Sequence, residues 1–84
     1  MATWKREPEE TPGDQRFRGR AYMTRGVSTS LSPTEVMQLE LRLQADVEEN
    51  NGLDYLQVFT SDDGRKVWVI DDGPHHTWLL PSEY

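Results

Sequence analysis

The residues best suited to chemistry in this chain are two adjacent histidines, His75 and His76, two aspartate-bearing turns, Asp62-Asp63-Gly64 and Asp71-Asp72-Gly73, and four arginines, Arg16, Arg18, Arg20 and Arg25. Imidazoles would ligate a transition metal, carboxylates a hard cation or a hydrolytic proton, and guanidinium groups a phosphate. Neighbouring strand residues point to opposite faces, so the two rings cannot chelate one ion, and the chain has no cysteine to complete a set. The histidines read as a solvent-exposed turn pair. Neither aspartate turn has the alternating Asp-x-Asp-x-Asp-Gly loop with a distant Glu that calcium requires, and turn geometry accounts for both. Carboxylate pairs could be drawn from Glu35, Asp54, Asp71 and Asp72, but acids at this density are ordinary surface solvation. There is no nucleophile elbow and no phosphate loop, and 84 residues leave little room for a deep pocket. The chain reads as a non-enzyme with no cofactor and no metal.

The arginines divide the charge. Residues 1–26 carry six cations against four carboxylates, and residues 27–84 carry three against eleven, so the net charge of −6 hides a mildly basic arm on a strongly acidic body. Arg16, Arg18 and Arg20 would share one side of an extended strand, interleaved with Phe17 and Tyr22, which could grip phosphates or a carboxylate-rich surface. The acidic body makes duplex nucleic acid an unfavourable partner. Contact of the arm with the chain's own acids is an equal reading.

These groups need elements to hold them. Residues 1–15, with Pro8, Pro12, Gly13 and Trp4 as the one large apolar side chain, read as a flexible tail, and residues 16–84 as a single domain. A first strand runs from Arg16 towards Gly26. Ser32-Pro33-Thr34-Glu35 then forms a capping box that starts a helix at Pro33, whose stripe is Val36, Leu39, Leu43 and Val47 and which stops at Asn50-Asn51-Gly52. Strand-like runs over 53–60, 65–71 and 77–80 follow, separated by turns at 61–64 and 72–74. The expected fold is α+β: a strand, one amphipathic helix packed on one sheet face, and a three-stranded antiparallel meander.

One helix covers one face of such a sheet. The other face would hold Tyr55, Phe59, Trp68, Ile70 or Trp78 depending on register, covered either by the N-terminal arm or by another molecule. Tyr55, Phe59, Trp68 and Trp78 are the expected apolar anchors for a protein partner, with Arg25 as a polar rim contact. The longest apolar run is four residues, from Val67 to Ile70, too short to span a bilayer, so the expectation is a soluble, cytoplasmic protein without membrane contact.

Two blocks carry a resemblance. Tyr22-Met23-Thr24-Arg25-Gly26-Val27 and Leu53-Asp54-Tyr55-Leu56-Gln57-Val58-Phe59, on either side of a Leu-rich helix, resemble a family of small, functionally uncharacterised proteins of Gram-positive bacteria and their plasmids and phages. The match covers about half the chain and departs after Phe59, where the family's polar His-containing end is replaced by Val67-Trp68-Val69-Ile70 and Thr77-Trp78-Leu79-Leu80. The resemblance implies a small α+β unit of mobile-element origin and supplies no site residue. The functional expectation is therefore a protein-interaction module, with self-association through the aromatic face as one form and an accessory or inhibitory role. A rival reading is an acidic decoy presenting Glu48, Glu49, Asp62, Asp63, Asp71 and Asp72 to a basic protein in place of nucleic acid. A third is a nucleic-acid contact through the arginine arm.

Overall fold

The best-marked element of the sequence is also the longest in the structure. In a computed structural model that describes residues 2–9 and 11–84, Ser32 accepts from the Glu35 amide at 3.1 Å, and the Glu35 carboxylate accepts from the Ser32 amide at 3.0 Å. This box opens a helix over Pro33–Asn50, and Asn51, in the left-handed region at φ 55°, closes it. Leu39, Leu43 and Val47 form the buried stripe, with Val36 partly buried beside it.

In chain order the elements are β1 (Trp4–Arg6), β2 (Arg20–Met23), α1 (Arg25–Ser30), α2 (Pro33–Asn50), β3 (Leu56–Ser61), β4 (Lys66–Asp71), β5 (His75–Leu79) and a 3₁₀ turn (Pro81–Glu83). The strands make one five-stranded sheet in the order β1-β3-β4-β5-β2. The expected meander is its centre, β3-β4-β5. It is flanked by β1, antiparallel to β3, and by β2, parallel to β5.

Both flanking strands correct the sequence reading. Trp4–Arg6 lies inside the stretch expected as a tail, yet it forms an edge strand, held by polar locks between residues far apart in sequence. Arg6 donates to Asp46 and to Gln57, each at 2.8 Å, and Gln57 donates to Glu9 at 2.8 Å. Trp4 donates to Glu35 at 3.4 Å while the Arg65 guanidinium sits 5.2 Å above its ring. The strand expected from Arg16 to Gly26 is reduced to Arg20–Met23, because Phe17, at φ 50°, and Gly19, at φ 82°, turn the chain before it, and Thr24 caps a second helix after it. Thr24 accepts from the Val27 amide at 3.3 Å, which starts α1 where continued strand was expected.

The core lies between α2 and one face of the sheet. Phe59, Val67, Val69 and Trp78 point into it from the strands, and Phe17, Val27, Leu31 and Leu53 close its margins. No helix among the described residues is long and apolar enough to cross a membrane.

Candidate functional site

Register decides which aromatic residues face a partner. Phe59 pairs with Val67, Gln57 with Val69, and Val69 with Trp78, so these five residues share the face beneath α2. Phe59 and Trp78 are 0% and 1% exposed, with ring centroids 5.6 Å apart. They are core residues, which corrects their expected place as docking anchors.

The opposite face holds the alternate residues of the same strands. Val58 pairs with Trp68 and Trp68 with Leu79, while Leu56 pairs with Ile70 and Ile70 with Thr77. This is the side away from α2, and the 3₁₀ turn adjoins β4. Leu56, Val58, Trp68 and Ile70 are half-buried, and Leu79 is shielded by its neighbours. The Tyr84 ring packs edge-on against Trp68 at 5.4 Å, and Tyr22 packs against His75 at 5.3 Å, both tyrosines being exposed. Lys5, Thr60 and Lys66 form a polar row across one end, since Lys5 and Lys66 both pair with Thr60. Tyr55 adjoins this face in a groove of about 360 Å³ that it shares with Glu7, Leu56 and Val58.

Of the four expected anchors, the structure therefore brings Trp68 to the open face and Tyr55 to its margin. Arg25 heads α1, next to Gly26, whose amide donates to Glu83 at 3.1 Å. Glu83 adjoins Tyr84, the residue that packs on Trp68, so Arg25 heads a helix tied to the segment beside that cluster. Leu56, Val58, Ile70, Tyr22 and Tyr84 complete the surface in their place.

The titratable groups have structural partners. Hydrogen bonds from Arg65, then from the Ser32 amide, pull Glu35 from its ordinary 4.5 to about 2. Arg65 is raised in turn, first by Glu35 and then by Asp63. Asp63 also falls to about 2, through Arg65 and then Ser61, and Glu83 is lowered mainly by the Thr24 hydroxyl. His76, expected in an exposed turn, is 1% exposed within β5. Its Nε2 faces both Glu40 oxygens, at 2.9 and 3.0 Å, so this nitrogen carries the proton and donates. Trp78 donates to the same carboxylate at 2.9 Å. His75 lies on the other face beside Asp72, at 3.3 Å, so the pair does split across the sheet as adjacent strand residues must.

The acids of the decoy reading are dispersed. Asp62 and Asp63 sit at one end of β4 and Asp71 and Asp72 at the other, about 20 Å apart for a six-residue strand. Each is engaged within the chain: Asp62 accepts from the Thr3 amide, Asp63 binds Arg65, Asp71 accepts from the Phe17 and Gly73 amides, and Asp72 meets His75. Glu48 and Glu49 are exposed near the end of α2. Arg16, Arg18 and Arg20 do not share a strand side either, because the turns at Phe17 and Gly19 separate them. Comparison with protein-family models, with curated proteins and with solved structures returns no match.

Proposed function

We propose that the protein is a non-enzymatic protein-interaction module whose docking surface is the open sheet face centred on Trp68. One observation carries the reading: the sheet face opposite α2 presents Trp68 among half-buried Leu56, Val58 and Ile70, with the exposed Tyr84 packed against it. A central tryptophan within an apolar patch and a polar rim is the arrangement that concentrates binding energy at protein interfaces. The lowered carboxylates Glu35 and Asp63 have structural causes, in the guanidinium of Arg65 and the bonds from Ser32 and Ser61, which favours a binding role over catalysis. An accessory or inhibitory role fits a module of this size; the resemblance bears only on a mobile-element origin and supplies no role.

The test is site-specific photo-crosslinking in extract of the cells that make the protein. A photoreactive residue at Val58 or Thr77 is expected to capture a polypeptide, and one at Glu48 is not. Trp68→Ala should lower capture about tenfold or more. Equal capture from Glu48 and Val58 would refute the reading.

A further inference from the structure

The two edges of the sheet are finished differently. At β1 the chain protects its edge: the strand has three residues, Pro8 follows closely, and Trp4 and Arg6 are tied into the body. At β2, the last strand of the sheet, all four residues are exposed and none is proline. An open edge of this kind is a template for another strand.

The ladder shows which groups it offers. The Thr24 amide donates to the Trp78 carbonyl at 3.0 Å, and Tyr22 pairs with Thr77 in a parallel register. In such a ladder alternate residues bond inward, so Arg20, Tyr22 and Thr24 serve β5 while the amides and carbonyls of Ala21 and Met23 point outward. We infer that β2 pairs antiparallel with β2 of a second copy of this chain, about a two-fold axis through Ala21. The two five-stranded sheets then become one of ten.

Three features accord with this register. Ala21 would exchange both backbone bonds with Ala21 of the second copy, and its methyl group permits close approach at the axis. Arg20 would face Tyr22 of the second copy, twice by symmetry, as a cation over an aromatic ring. Both Arg20 and Tyr22 lie on the open side of the sheet, since they pair with His75 and Thr77, so face matches face across the junction. A two-fold through Met23 would instead set Ala21 against Arg25, which is already helical. The second copy is favoured over an unrelated strand because its own residues satisfy all three conditions. The inference is independent of the docking role of Trp68.

The contact is short, so association is expected to be weak and dependent on concentration. Disulfide trapping is a clean assay in a chain without cysteine. Across a bonded antiparallel pair Cα atoms are about 5.5 Å apart, within disulfide reach, whereas two Met23 positions would be about 14 Å apart. Ala21→Cys is therefore expected to form the covalent dimer at least about tenfold faster than Met23→Cys under mild oxidation. Ala21→Pro, which removes the outward amide, should weaken the dimer about tenfold or more by sedimentation, and Tyr22→Ala should weaken it less. Equal trapping at the two positions, or a monomer at about 0.5 mM in sedimentation of the unmodified chain, would overturn the inference. So would a dimer that Trp68→Ala abolishes and Ala21→Pro leaves intact, which would move the contact to the open face.

Discussion

Beneath α2, Phe59, Val67, Val69 and Trp78 are at most 1% exposed, whereas Val58, Trp68 and Ile70, their immediate neighbours in the same strands, are only half-buried. Composition does not separate the two faces, since each has a tryptophan and branched aliphatics. What differs is the cover and the polar groups built in with it. On the helix side Gln57, Asp46, Glu40 and His76 are knitted to Arg6, Trp78 and Gln44, and these bonds fix α2 and β1 to the sheet. On the open side Trp68 packs on Tyr84, and Tyr22 on His75, which meets Asp72 near the edge. The covered face supplies the stability, and the open face keeps apolar surface available.

That division can be tested by treating the two faces alike. Trp78→Ala removes a filled core volume and one donor to Glu40, and it is expected to cost about 3–5 kcal/mol in urea unfolding. Arg6→Ala leaves Asp46 with only the more exposed Arg42 and strips the Gln57 carbonyl of its donor, for an expected loss of about 2 kcal/mol. Acid gives a third comparison. Glu35 in the folded state titrates near 2, below its ordinary 4.5, so its contribution is fully present above about pH 4.5 and disappears as pH falls through about 2. The expected loss over that interval is between about 1 and 2 kcal/mol, discounted for the partly exposed Arg65, and Arg65→Met should flatten the slope. Trp68→Ala is the mildest in stability, about 1 kcal/mol, because that ring already meets water. A Trp68→Ala loss as large as that of Trp78→Ala would erase the distinction between the faces.

The helix was readable because its start and stop are local. Ser32, Pro33, Glu35, Asn51 and Gly52 lie within a turn of the groups they cap. The pattern of alternation within each strand was readable too. The match between strands was not, and the two turns show why. Reading 61–64 as the first turn sets Phe59 on the side of Trp68, but Ser61 bonds to Arg65 and the loop proper is Asp62-Asp63-Gly64, with Gly64 at φ 89°. Reading 72–74 as the second turn sets Trp68 beside Trp78, but Asp72 bonds to His75 across a two-residue Gly73-Pro74 loop, with Gly73 at φ 95°. Each turn differs by one residue, and one residue reverses a face. The place of Trp4–Arg6 in the sheet depends on Asp46, Gln57 and Glu35, tens of residues away, so no local signal marks it.

The open face as docking surface is tested most directly by the side-chain footprint of a captured partner. With the indole and methyl groups labelled, binding is expected to shift the Trp68 indole and the Leu56, Val58 and Ile70 methyl signals, leaving those of Met37 and Leu41 on the outer side of α2 in place. Shifts at Met37 and Leu41 with an unchanged Trp68 indole would contradict the account.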